Sequence, residues 1–197
     1  MGALKLYWLG VADAWRRASG TMKLGMDWNP ALYGPEAATL LALAGDGRRL
    51  MPLVSPRDTD AALAERLRRP ARELFPDAVN PELALAGLWL YCGCFDESHA
   101  IAQDVKSADG SYWHAIVHRM EPDAWNAGYW FRQVGQHPVF PEVNAAAAAL
   151  GYATGARWDP LAFVAAGESS TRSNQDLLEQ VQLAEWQILF DYCAKAK

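Results

Sequence analysis

The stretch "QDLLEQVQLAEWQILFDYCA" (175–194) places Leu177, Val181, Ala184, Ile188 and Tyr192 at helical spacing, and Leu178, Trp186, Leu189 and Phe190 widen that stripe. One neighbouring helix cannot cover so broad an apolar sector. The sequence therefore requires two or more helices against this one, or a second subunit and hence a homo-oligomer. Helical spacing recurs along the rest of the chain, and no series of alternating strands accompanies it. The expected fold is all-α, built of antiparallel helical hairpins. It is expected as a single helical domain over 1–197, with 1–50 as a candidate extended N-terminal segment and 80–140 as the motif-bearing core.

Start and stop signals mark the helices. "PEAATLLALAG" (35–45) opens on Pro and closes on Gly, and "DTDAALAERLRR" (58–69) runs from acids to arginines, as the helix dipole favours. The connection between them, "DGRRLMPLVSPR", reads as extended. "NPELALAGLWLYCG" (80–93) is apolar on most sides, with Asn80 as cap. "FDESHAIAQDV" (95–105) begins the next helix and "KSADG" (106–110) the turn after it. A further helix follows, capped by Asp109 or Ser111, and Asp123 caps "AWNAGYWFRQVG", which Gly135 and "HP" (137–138) end. A faint echo at an offset of 27 residues superposes Asp96 on Asp123 and His99 on Asn126. It suggests paired helices in the manner of tetratricopeptide repeats, whose units are longer, about 34 residues.

Composition narrows the function classes. The apolar share of 51% and charged share of 21% suit a folded domain with its own core. Residues 1–75 carry +3 (11 basic, 8 acidic) and 76–197 carry −8 (7 basic, 15 acidic), so nucleic acid is not an expected partner. The cluster "RLRRPAR" (66–72) reads as a solvated helix end. No run reaches the roughly 18 apolar residues of a membrane helix, and no membrane partner is expected. Three cysteines without a secretory signal point to a reducing cytoplasm. In "CGC" (92–94) the two side chains diverge by about 200° on a helix, so small buried residues are expected there rather than a soft-metal pair. Most of the nine tryptophans should fill gaps between helices.

The chemistry gathers in "SYWHAIVHRMEPD" (111–123). At about 100° per residue, His118 lies about 40° round from His114 and Glu121 about 20° round on the other side. Trp113, Ile116, Val117 and Met120 fall on positions that can face the core. On the preceding helix Asp96, His99 and Gln103 also share one side. His99, His114, His118 and Glu121 are thus a candidate ligand set for a divalent metal, with Asp96 or Glu97 as further oxygen donors. Zinc, iron or manganese would suit such a site. Ring nitrogens more than about 7 Å apart would exclude a zinc-type cluster, whose bonds are about 2.0–2.1 Å.

The same residues support other uses. His114 or His118 beside Glu121 can act as a general acid/base pair. Arg119 and Arg132 can hold an anionic group, while Asn126, Tyr129 and Trp130 supply a polar and aromatic wall. Equally, Arg132 can pair with Glu121 or Asp123, and the histidines and carboxylates can tie neighbouring helices together.

The segment "FDESHAIAQDVKSADGSYWHAIVHRMEPDAWNAGYWFRQVGQHPVF" (95–140) resembles a family of uncharacterised bacterial proteins with the signature "DESH-IAQ … G-YWHAI-HR-EPD--NA-YWFR-VG-HP". The resemblance implies that Asp96, Glu97, His99, Gln103, Trp113, His114, His118, Arg119, Glu121, Asp123, Asn126, Tyr129, Trp130, Arg132 and His137 occupy the family's motif positions. It brings no activity with it. Two functions stay open at this point. One is binding or hydrolysis of a small polar molecule in a His/Glu/Asp cleft, with metal assistance. In it His114, His118 and Glu121 do the chemistry, and Asp96, His99, Asn126, Tyr129, Trp130 and Arg132 bind the ligand. The other is a non-enzymatic helical scaffold for a protein partner.

Overall fold

The computed structural model describes residues 28–55 and 59–196. Among them are ten α-helices, a short 3-10 turn at Pro30–Tyr33, and no strand. The helices are α1 (Pro35–Leu43), α2 (Ala61–Leu67), α3 (Ala71–Leu74), α4 (Pro81–Tyr91), α5 (Phe95–Asp104), α6 (Ala108–Met120), α7 (Ala124–Val134), α8 (Phe140–Ala149), α9 (Pro160–Glu168) and α10 (Gln175–Ala194). Residues 92–94, 105–107 and 121–123 are all that separate α4, α5, α6 and α7, and each of these helices packs on the next. Connections of three residues leave the chain no route but to double back, and that makes the hairpins.

Two helices form the centre. In α4 only Glu82 faces solvent. In α10 every residue from Val181 to Phe190 is buried, against α4, α8 and α9. The broad stripe on α10 is thus covered within the chain by several helices, and it emerges at its ends, at partly buried Leu177 and at Tyr192, which is 40% exposed. At the α4–α10 crossing, a Cβ on Gly87 would lie 2.7 Å from the Trp113 ring. The bare backbone lets Trp186 Nε1 donate to Gly87 O at 2.8 Å. Trp186 also stacks on Tyr91, with ring centres 4.4 Å apart. Trp28, Trp89, Trp113, Trp158 and Trp186 are buried, as expected of gap-filling tryptophans. From Trp28 onward the described part of the 1–50 segment belongs to the same core, through Trp28, Tyr33, Leu40 and Leu41; the rest lies outside the described residues.

Polar side chains inside α10 hold the extended connection in place. Gln182 Nε2 donates to Met51 O and Pro52 O at 3.3 and 2.9 Å, and Gln187 Nε2 donates to Gly47 O at 2.7 Å. A segment without secondary structure thereby has its carbonyls satisfied in the interior. Between these two glutamines, Glu185 is fully buried, with its Oε2 2.6 Å from Arg119 Nη2. Tyr112 donates to its other oxygen at 2.8 Å. Arg119 Nε donates to Gln182 Oε1 at 3.2 Å. Arg119 is therefore an interior tie between α6 and α10, and the expectation that it holds an anionic ligand is corrected.

Two expected caps also differ. Asn80 stands at the N-terminus of α4 without capping it, because its amide donates to Asp109 at 3.4 Å instead. Helix α6 begins earlier than expected, at Ala108, with Ser107 Oγ accepting from Gly110 N at 3.0 Å. Asp109 is engaged elsewhere, with Nε2 of buried His137 at 2.8 Å. Val139 N donates to Nδ1 of the same ring, so His137 donates from Nε2. The three cysteines are free and buried, and burial pushes the Cys92 thiol up to about 12 and the Cys94 thiol up to about 11.

The Arg119–Glu185 pair sets a test of the fold. Glu185→Ala strands a buried guanidinium and should lower the unfolding free energy by about 3–5 kcal/mol in urea denaturation. The double replacement Arg119→Met with Glu185→Leu should recover most of that loss, since matched apolar groups need no pairing.

Candidate functional site

Helix α6 is buried almost all round, so its polar edge lies inside the protein rather than along an exposed cleft wall. Residues 112 and 119 are seven apart and face α10; residues 114 and 118 are four apart and face the opposite way, toward α5. Gly110 sets how close the two helices come. A Cβ there would stand 2.1 Å from Val105 O at the end of α5, so only glycine lets α6 start directly beneath that carbonyl. One and two turns further on, His114 and His118 meet His99.

One nitrogen from each of His99, His114 and His118 lies within 4.8 Å of the others. His114 Nε2 and His99 Nε2 are 2.9 Å apart, a hydrogen bond in which one ring donates and the other accepts. The His114 and His118 rings are stacked at 4.8 Å, and His99 stands edge-on to both. Trp130 of α7 stacks on His114 at 4.1 Å, with 27° between the planes. These spacings pass the 7 Å limit with room to spare.

Glu121 lies outside the three-nitrogen group. Its Oε2 is 3.4 Å from His118 Nδ1, a contact longer than an ordinary hydrogen bond. Burial pulls the His114 imidazole down to about 3, and the neighbouring His99 and His118 rings add to the shift. Burial also lowers His118, against the opposing pull of Glu121 and Asp123. His114 Nδ1 is buried with no partner among the described residues. Desolvating His114 and His118 costs folding free energy, and such costs concentrate at working sites.

The other expected residues divide. Trp130 and Tyr129 form an aromatic wall running outward from His114, with the Tyr129 ring 5.3 Å from Trp130 and 43% exposed. It continues to Trp125, which is 75% exposed and nearly parallel to Tyr129. Asp123 caps α7 through Asn126 N, and the Asn126 amide returns to Asp123 at 2.6 Å, so Asn126 serves the cap. Hydrogen bonds from Asn126 hold the Asp123 carboxyl below the usual carboxylate range. Asp96 is exposed on the first turn of α5, and Glu97 pairs with Arg68 at 3.5 Å. Neither joins the histidine group. Arg132 is not beside the histidines, nor in an ion pair with Glu121 or Asp123. Two residues past Trp130 on the same helix, it is turned about 200° away and lines a different cleft, with Arg157 and Trp158. Sequence reading missed those two because the stretch 151–159 has no periodicity to read; its one usable signal is Asp159, the cap of α9.

No protein-family model matches the chain, no curated protein matches it, and no solved structure matches its fold. Among the described residues, no helix is long and apolar enough to cross a membrane.

The depressed histidines make stability depend on pH in a defined window. Below the ordinary histidine value of about 6.5 the unfolded chain takes up protons that folded His114 refuses. Stability from this group is complete above that pH and declines as pH falls toward His114's own value of about 3. Chelator-treated protein should therefore show a falling urea midpoint between about pH 7 and pH 5, and His114→Asn should flatten that limb. The lowered Asp123 carboxyl does not interfere, since its contribution is lost only below the usual value of 3.8.

Proposed function

We propose that His99, His114 and His118 hold a divalent metal ion, zinc before iron or manganese, and that the centre serves metal-assisted hydrolysis of a small polar molecule. The observation that carries this reading is the convergence of three histidine nitrogens within 4.8 Å. In a tetrahedral zinc site with bonds of about 2.0–2.1 Å, ligand nitrogens are about 3.3 Å apart, so small side-chain shifts suffice. Three imidazoles with no carboxylate among them leave one position for water or substrate, the pattern of catalytic rather than closed structural zinc. All-nitrogen ligation favours zinc over manganese, which prefers oxygen donors.

Each neighbour then has a part. Burial keeps His114 neutral, the form that binds metal, so protons compete little for it at neutral pH. Glu121 on His118 Nδ1 is an outer partner that orients the ring, in place of the ligand role expected from sequence. A bound zinc would bring the pKa of its water to about 7 and so supply hydroxide at neutral pH. Trp130 and Tyr129 wall the approach to His114 and exclude water on that side. Three free cysteines support a reducing, cytoplasmic setting.

A scaffold reading keeps one observation in its favour: the 2.9 Å bond between His99 and His114 joins α5 to α6 as a latch would. Metal content and stability separate the two. On the metal reading, apo protein takes up zinc at one equivalent, cobalt gives the visible absorption of a tetrahedral site, and His99→Ala, His114→Ala or His118→Ala abolishes both. Glu121→Ala then weakens zinc by about 10–100-fold with little change in melting temperature. A protein that takes up neither metal at one equivalent, and whose His114→Ala variant melts far lower, is latched by these histidines and binds no metal.

A further inference from the structure

Metal-binding histidines are ordinarily held from behind, by a hydrogen bond from the ring nitrogen that does not touch the metal. His118 has a carboxylate on that side, Glu121, 3.4 Å from Nδ1. His114 has no such neighbour. Its Nε2 meets His99 Nε2 at 2.9 Å, and its Nδ1 is buried without a hydrogen-bond partner among the described residues. His137, which stands apart from the group, shows the contrast: Asp109 lies 2.8 Å from its Nε2 and Val139 N donates to its Nδ1 at 3.3 Å. A different contact must therefore set the direction of the His114 ring.

That contact is a stack. The Trp130 and His114 ring centres are 4.1 Å apart with 27° between the planes, the shortest ring pair among the described residues. At that distance two flat rings meet face to face, since edge-to-edge they would overlap. The His118 ring is inclined by 25° to His114 at 4.8 Å. The second side-chain torsion of histidine is broad when nothing restrains it. Turning His114 about that bond would drive its edge into the indole, so the stack narrows the torsion.

Trp130 is itself held. Tyr129 stands edge-on to it at 5.3 Å. On its other side in sequence, Phe131 is buried, 5.7 Å from the Tyr112 ring and 5.8 Å from the Arg119 charge. These contacts fix the rotation of α7 against α6, and the indole is fixed with it.

We infer that Trp130 is a positioning residue of the metal centre: its flat face, in place of a hydrogen bond at Nδ1, holds His114 so that Nε2 points toward His99 and His118. This rests on the metal reading above and adds to it a residue outside the ligand set. Trp130 acts through His114 and touches no metal.

Zinc competition titration, cobalt absorption and thermal melting of apo protein test it on Trp130→Phe, Trp130→Leu and Trp130→Met. Phe keeps a flat face, whereas Leu and Met fill apolar space without one. Expected is near-parent zinc affinity for the Phe variant and a loss of about tenfold for Leu and Met, the lower end of what outer partners of a ligand contribute. The cobalt bands should be kept by Phe and shifted or weakened by Leu and Met, and the three apo variants should melt alike. If the parent takes up no metal, the metal reading fails and this inference falls with it. If the parent binds metal and Leu and Met match it in affinity and spectrum, the metal reading stands and the positioning role is overturned. It is overturned equally if Phe loses as much as Leu, or if affinity falls in step with melting temperature across the set.

Discussion

A single buried guanidinium organises this protein. Arg119 reaches Glu185 of α10 at 2.6 Å, while its charge lies over the Phe163 ring of α9 at 4.7 Å and the Phe131 ring of α7 at 5.8 Å. Four helices thus share one charged group in a place where water cannot help. Interior ion pairs add little net stability, because taking two charges out of water costs nearly what their attraction returns. Their effect is on which arrangement is tolerated. Rotating α6 by even one residue would carry Arg119 about 100° away from Glu185 and leave both charges stranded. The pair therefore fixes the azimuth of α6, and with it the direction in which His114 and His118 point.

The two faces of α6 solve the problem of burial differently. Toward α10 the polar groups are matched in pairs, Arg119 against Glu185, with Tyr112 donating to Glu185 and Arg119 Nε donating to Gln182. Toward α5 there is no carboxylate within the three-nitrogen group, and burial makes protonation of His114 and His118 unfavourable. One face pairs a guanidinium with a carboxylate, and Arg119 Nη1 is left there with neither a hydrogen bond nor an ion pair among the described residues. The other has nitrogen lone pairs and a buried Nδ1 without a partner. The histidine face is the one where three ring nitrogens converge within 4.8 Å.

Much of this was legible in the sequence, and the boundary has physical causes. Helical spacing and Pro and Gly punctuation identified α1, α2, α4 to α7 and α10 but not α3 or α9, and the i, i+4 spacing put His114 and His118 together. The pairing of α5 with α6 needed only a three-residue connection. What escaped depends on partners remote in the chain. Gln182, Glu185 and Gln187 sit inside an apolar stripe and look like interruptions of it until Met51, Pro52, Gly47 and Arg119 are beside them. Ser107 displaced Asp109 as the cap of α6 because Asp109 is needed by His137, a contact no local pattern announces. Arg132 was grouped with the histidines by nearness in sequence, while its angular position on α7 turns it to the opposite side.

Gly110 carries a consequence for the order of assembly. By allowing α6 to start against Val105 O, it closes the His99–His114 contact across only 15 residues of chain. The tie from Arg119 to Gln182 spans 63 residues, and the bond from Gln182 to Met51 spans 131. Short loops close at lower entropic cost, and contacts near in sequence form ahead of distant ones. The three histidines are thus brought together while the chain around them is still open, before α10 and the 46–55 segment seal the interior. The route to those nitrogens is then widest while the chain is still folding.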